Sequence, residues 1–278
     1  MGSRKFQVLL ILCLCIFSLQ GNAQYTSDTI TLHKYSSSIT YLKSYLTDTR
    51  DIAISPLRWK KKDWLIAGSA VAIGTLIYVF DDEIKNIFQT NRSSFTNSVS
   101  NNFLEPFGSG VYSLPLFASL FLHGEFSNND KSKTVALDAL KTYILTTGMV
   151  TIMKQLFKRH RPFHDQIPDS RQWDGPFGDS KYTSFPSGHT MTAFALASYV
   201  SSAYRDKKWV SIVSYAIASL IGLSRINDDE HWASDVFIGG VIGYAVGKCV
   251  YNNSLKRYNI KIIPVSNAGL GLSIVKSL

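Results

Sequence analysis

Three separated stretches of this chain bring together residue types that handle an anion. The first is Lys154-Gln-Leu-Phe-Lys-Arg-His-Arg161-Pro162. Seven residues are about two helical turns, so on one helix Lys154 and Arg161 share a face, and Pro162 ends the helix beside them. A guanidinium fork and an ammonium point charge make a phosphate clamp. A solvated basic helix end that complements the dipole accounts for the same residues. The second stretch is Ser184-Phe-Pro-Ser187-Gly188-His189-Thr190, ahead of an apolar helix. Glycine lets the backbone approach a ligand, and the unpaired N–H groups of a helix start point at it; an ordinary helix cap is the alternative. The third is Ser224-Arg225-Ile-Asn-Asp-Asp-Glu-His231-Trp-Ala-Ser-Asp235. His231 and Asp235, four apart at the start of the last helix, lie on one face. There a carboxylate can accept the Nδ1 proton and leave Nε2 free to attack, the orienting logic of a catalytic triad.

Lys154 with six residues before Arg161-Pro162, then Pro186-Ser-Gly-His189, then Ser224-Arg225 with five residues before His231 and three before Asp235, resembles the three-part signature of the type 2 phosphatidic acid phosphatase and vanadium haloperoxidase superfamily. The resemblance covers residues from about 134 to 250. It implies that Lys154, Arg161, Ser187, Gly188 and Arg225 bind phosphate, Gly188 through its backbone N–H. It further implies that His231 is the nucleophile, Asp235 its orienting partner and His189 the acid that protonates the leaving oxygen. A helical architecture and a site without metal or other cofactor are implied with it. The chemistry is consistent: three cations and oriented N–H groups can neutralise a phosphoryl group in flight, and a histidine nucleophile splits hydrolysis through a phosphohistidine. No H-E-x-x-H, cysteine cluster or P-loop offers a competing centre. One stretch departs from the family pattern. Ile-Asn-Asp-Asp-Glu stands where relatives often place a glycine ahead of the histidine, and Asp229 and Glu230 are expected in a solvated loop.

The elements that must position these residues are helices. Apolar blocks at Trp64 to Phe80, Val111 to Leu122, Val135 to Met153, Thr190 to Tyr204, Trp209 to Leu223 and Trp232 to Val250 are too long for strands. The expected fold is all-α, a six-helix bundle over 57–252. A lead-in, 24–56, is read as extended or weakly helical, and a tail, 253–278, as carrying a small β-hairpin. The connection from Phe163 to Thr183 is long enough for a lid or specificity loop.

Residues 1–23 read as a signal peptide: Arg4 and Lys5, an apolar run from Phe6 to Leu19, then Gly21-Asn-Ala23. Its removal takes the formal charge from +9, by the two charges of Arg4 and Lys5, to +7. It also takes Cys13 and Cys15, leaving Cys249 without an intramolecular partner. A basic exported chain suits an anionic substrate or membrane surface. Most blocks fall short of the roughly 20 apolar residues of a span, which leans the reading towards a soluble or peripheral exported domain. The expected function is a metal-independent phosphatase acting on a phosphorylated lipid, with no nucleic-acid partner. A soluble acid phosphatase, a vanadium haloperoxidase and a non-enzymatic lipid-binding protein follow in that order.

Overall fold

The computed structural model describes residues 38–258, 260–265 and 271–276. The segment expected to be a signal peptide, 1–23, lies outside the described residues. In chain order the helices are α1 (Ser38–Ala53), α2 (Lys61–Val79), α3 (Asp81–Thr90), α4 (Ser94–Val99), α5 (Glu105–Gly108), α6 (Ser113–Phe126), α7 (Asp130–Phe157), α8 (Gly188–Ala203), α9 (Lys208–Asn227) and α10 (Ala233–Tyr258). A π-helical turn, Ser100–Leu104, joins α4 to α5. Strands β1 (Ile260–Val265) and β2 (Gly271–Lys276) pair antiparallel with Ile260 opposite Lys276. The six apolar blocks correspond one to one with α2 and α6 to α10, and the tail forms the expected hairpin.

The bundle is centred on α8, where Met191, Ala195 and Tyr199 are fully buried. Three glycines four residues apart bring α10 directly onto it. A Cβ on Gly239 would lie 2.9 Å from Ser187 O, one on Gly243 2.2 Å from Met191 O, and one on Gly247 2.1 Å from Ala195 O. Small residues at this spacing let two helix backbones touch. The contact fixes the start of α8, with Ser187 to His189, against the start of α10, just after His231.

Two readings from the sequence need correction. The lead-in contains a regular helix, α1, whose inward face is polar: Ser44 and Asp48 are buried. A hydrophobic period cannot reveal such a face. Asp48 meets Lys141 of α7 at 2.8 Å, Lys141 meets Asp138 at 2.9 Å, and Arg257 of α10 reaches Asp48 at 2.6 Å. Pairing is what allows these charges inside. The lean towards a soluble or peripheral domain also gives way. Helices α2, α7, α9 and α10 are long and apolar enough to cross a membrane, because they run on through the polar residues that bounded the apolar blocks. Helix α2 carries Trp64, Leu65, Ile66, Val71 and Leu76 exposed, a continuous apolar surface of the kind that lipid covers.

Alternation of helix direction gathers one set of ends together. The last residues of α2, α7 and α9 and the first of α8 and α10 meet at one end of the bundle. The opposite end carries α1 and the loops at 58–62, 127–130 and 204–208.

Candidate active site

Helix α7 stops at Phe157 because Lys158 adopts the left-handed conformation, φ 43°, and its N–H bonds back to Lys154 O. Arg161 therefore lies beyond the helix, not on it, and the chain must turn to return it towards Lys154. The turn is built by Arg159, which bridges Trp173 in a short antiparallel contact and is fully buried. Its guanidinium meets Asp81 Oδ2 at 2.7 Å, Asp235 Oδ1 at 2.5 Å, Ser234 Oγ at 2.8 Å and Ser170 O at 2.8 Å. The rings of Tyr78, Trp173 and Trp232 surround it at 4.8 to 5.5 Å, a cation–π enclosure of weakly hydrated charge. Attraction to the two carboxylates holds the Arg159 pKa above its ordinary value although burial opposes the charge.

The cradle expected for phosphate assembles around Ser187 and Gly188. Ser187 is fully buried; its N–H donates to Asp235 O at 3.1 Å and its hydroxyl accepts from Thr190 Oγ1 at 2.9 Å. A Cβ on Gly188 would lie 3.8 Å from Lys154 Nζ and 3.2 Å from Val150, so the bare α-carbon brings the helix start up to the ammonium group. The first N–H groups of α8 have no partner within the helix and point towards that cation's anion.

His231 sits just ahead of α10, 3% exposed. Its Nδ1 is 3.8 Å from Asp235 Oδ2, close enough for charge but too far for a hydrogen bond. Asp235 is committed elsewhere: Oδ2 accepts from Ser184 Oγ at 2.5 Å and Trp232 N at 3.1 Å, while Oδ1 takes Arg159. Burial pushes the His231 pKa down to about 3; the Lys154 and Arg161 cations add to the shift and Asp235 opposes it. His189, in the first turn of α8, is pushed down to about 4 by burial and by Arg225 and Lys154, against Glu105. Both imidazoles are thus depressed by cations that a phosphate dianion would neutralise.

The acidic insert is not a solvated loop. Asp228 accepts from Arg225 Nη2 at 2.5 Å and also from Ser100 Oγ, and its side chain is 10% exposed. Glu230 accepts from Arg161, whose other nitrogen donates to Thr183 Oγ1 at 3.2 Å. Asp229 turns the chain with φ 63° and faces Lys85 at 3.8 Å. A carboxylate thus lies on the guanidinium of both Arg161 and Arg225, since an unpaired buried cation is costly. A substrate phosphate would compete with Glu230, the more exposed of the two at 34%. Glu230→Gln should lower KM for a phosphorylated substrate about two- to fivefold, the discounted worth of a partly exposed ion pair, with kcat unchanged. An unaltered KM would remove Glu230 as a competitor.

The 163–183 connection is fastened at its base. Asp165 and Asp174 face His160 at 2.8 and 3.3 Å, and the His160 ring stacks on Tyr182 at 3.5 Å. All the signature residues therefore converge on one end of the bundle. Sequence patterning passes over Arg159, although it lies inside the first stretch, and Asp81, which follows directly on the first apolar block. It also misses Ser100 and Glu105, which belong to no motif.

The PAP2 superfamily model matches residues 135–259. Among curated proteins the chain is 35% identical over 186 residues to Lipid A 1-phosphatase of Porphyromonas gingivalis, covering 65% of this chain and 36% of that protein. It is 34% identical over 183 residues to Probable diacylglycerol pyrophosphate phosphatase 1 of Schizosaccharomyces pombe, covering 54% of this chain and 66% of that protein. The chain thus spans about a third and just under two thirds of these relatives' lengths. Among solved structures, Aquifex aeolicus LpxE is 24% identical with a TM-score of 0.46, covering 62% of this chain and 95% of that one. A transmembrane PAP2 type phosphatidylglycerolphosphate phosphatase from Bacillus subtilis is 18% identical with a TM-score of 0.45, covering 78% and 92%.

Proposed function

We propose, for a chain whose residues 135–259 belong to the PAP2 superfamily, that it is a membrane-embedded, metal-independent phosphatase acting on a lipid phosphate or pyrophosphate. The observation that carries the reading is the approach of Lys154 to Gly188 at the start of α8, with the Lys154 and Arg161 charges felt at His231 and those of Arg225 and Lys154 at His189. In the proposed reaction Nε2 of neutral His231 attacks phosphorus. The P–O bond to the leaving group breaks, His189 gives that oxygen its proton, and a phosphohistidine remains. Water then attacks the phosphorus, passes its proton to His189, and releases inorganic phosphate and His231. Lys154, Arg161, Arg225, the Ser187 hydroxyl and the Gly188 N–H hold the phosphoryl oxygens throughout. Similarity to a lipid A 1-phosphatase and to a probable diacylglycerol pyrophosphate phosphatase supports a lipid on the leaving side.

The test is a panel of lipid phosphates, prenyl pyrophosphates and soluble monoesters assayed with purified chain in excess chelator. Phosphate release should persist there and be inhibited by vanadate, which takes the place of the transferred group. Activity lost to chelator and restored by a divalent ion would replace the mechanism.

The same reading places the catalytic end outside the cytoplasm. Basic residues crowd the opposite end: Arg58 and Lys60 to Lys62, Lys131 and Lys133, Arg205, Lys207 and Lys208, Lys256 and Arg257. Short loops rich in Lys and Arg stay on the cytoplasmic side. Of the arginines at the catalytic end, Arg159 and Arg225 are buried, while Arg92 and Arg171 are exposed. A cleaved signal peptide would instead deliver residues 38–62 to the outer face and the site to the inner one. Reporter fusions in the 163–183 and 204–208 loops decide the matter: the first should report the outer face and the second the cytoplasm. The reverse result would restore the cleaved-signal orientation and turn the site inward.

A further inference from the structure

The segment Ser100–Gly108 is a fourth limb of the site, outside the residues that the superfamily model matches. It reaches the cradle twice. Ser100 Oγ accepts from Arg225 Nη2 at 3.2 Å, and Glu105 Oε1 lies 3.4 Å from His189 Nε2. The second contact is enforced by packing. A Cβ on Gly108 would lie 2.7 Å from His189 Cδ2 and 3.0 Å from Ile221, so only glycine lets α5 press against the imidazole. Thr192, one turn along α8 from His189, donates to Gly108 O at 3.3 Å and holds the turn there. The π-helical turn that precedes Glu105 adds a residue to the helical cycle, a feature that re-aims side chains.

The charges facing His189 make a partner necessary. From α9 comes Arg225, itself bound to Asp228; from α7 comes Lys154; from α5 comes Glu105. Two cations and partial burial oppose a proton on the imidazole, and Glu105 is the carboxylate that favours one. An acid must carry its proton before the leaving oxygen can take it.

We infer that Glu105 is the positioning residue that keeps His189 protonated and aimed for its part in the proposed reaction. This rests on the phosphatase reading above. Glu105 accepts from the Nε2 proton while the site is loaded. As the P–O bond breaks, the leaving oxygen becomes more basic than the carboxylate and takes that proton. In the second half-reaction the attacking water's proton returns to His189, and Glu105 again stabilises the charged ring. The side chains are 28% and 40% exposed, open to the substrate side and not sealed in the core.

The experiment uses the full-length chain in detergent with two substrates: a short-chain dialkylglycerol phosphate, whose leaving alkoxide needs a proton, and p-nitrophenyl phosphate, whose leaving group does not. Glu105→Gln should lower kcat on the lipid about 10- to 100-fold, part of the roughly 10²–10⁴-fold that a general acid contributes, and change the aryl rate less than about threefold. The descending limb of its kcat–pH profile should move to lower pH, and Glu105→Asp should recover most of the loss. In a His189→Ala background the added Glu105→Gln should cost nothing further. Equal losses on both substrates, an unmoved limb, or additive losses in the double variant would overturn the role of Glu105. His231→Ala is run alongside: turnover surviving in it overturns the phosphatase reading itself. An inactive His231→Ala beside a Glu105→Gln like wild type overturns only the inference.

Discussion

Replacing His231 with alanine removes about 10⁴-fold or more of phosphatase turnover, as loss of a covalent nucleophile does, while the chain stays folded. The structure sharpens the second half of this expectation. His231 is buried, so its loss opens a small cavity, which by itself would destabilise. Against that, Nδ1 is a buried nitrogen with no hydrogen-bond partner, and removing an unsatisfied polar group relieves a cost of about 1–3 kcal/mol. The backbone there is held independently, with His231 N donating to Arg225 O at 3.3 Å and Trp232 Nε1 donating to His160 O at 2.8 Å. Phosphate release is measured on the lipid and the aryl ester, and folding by thermal unfolding in the same detergent. Near-normal release from a folded variant would show that another group attacks phosphorus. Asp235→Asn should cost turnover less directly than loss of the nucleophile, but more stability, because Asp235 also serves Ser184, Trp232 and Arg159.

Arg159→Ala has the largest expected effect on the fold. Arg159 is wholly enclosed and pairs with two wholly enclosed carboxylates, Asp81 and Asp235. Removing one partner of a buried ion pair leaves uncompensated charge and costs about 3–5 kcal/mol. Here two carboxylates are stranded, one of them beside the nucleophile. The four segments that meet at Arg159 are the start of α3, the turn after α7, the 163–183 connection through Ser170 and Trp173, and the start of α10. The variant should therefore lose thermal stability and turnover together. Arg159→Lys keeps the charge without the fork or the stacking plane and should retain only part of each. Asp81→Asn in the Arg159→Ala background should recover stability without recovering turnover, since it removes one stranded charge but leaves Asp235 unneutralised. A stable Arg159→Ala variant with normal turnover would show that solvent reaches this cluster.

The proposed site residues were legible in motif order, and Lys154, Arg161, Ser187, Gly188, His189, Arg225, His231 and Asp235 come to one end of the bundle, Arg161 by a turn beyond α7 and not by helix spacing. What spacing could not supply was the state in which they rest. Glu230 on Arg161 and Asp228 on Arg225 are pairings across a turn whose path depends on Asp229 at φ 63° and on Gln89 of α3, which donates to Ile226 O and Asn227 O at 3.0 and 3.3 Å. A rule that assigns charged residues to solvent has no means of seeing them.

By itself the sequence determined the six apolar helices, the terminal hairpin and the three stretches proposed to hold the anion, since each is a local pattern of period or order along the chain. Only the tertiary structure decided the rest. It made α1 a helix with a polar inward face, ended α7 before Arg161, enclosed Arg159 between Asp81 and Asp235, and set Glu105 against His189. It also decided that no described residue covers the apolar faces of α2 and α9. Apart from the end of α7, where Lys158 N–H bonds back to Lys154 O, the partner is 50 or more residues away, or the surface is defined by what does not pack on it. Charge pairing and burial are properties of neighbours in space, and the local pattern of a chain does not carry them.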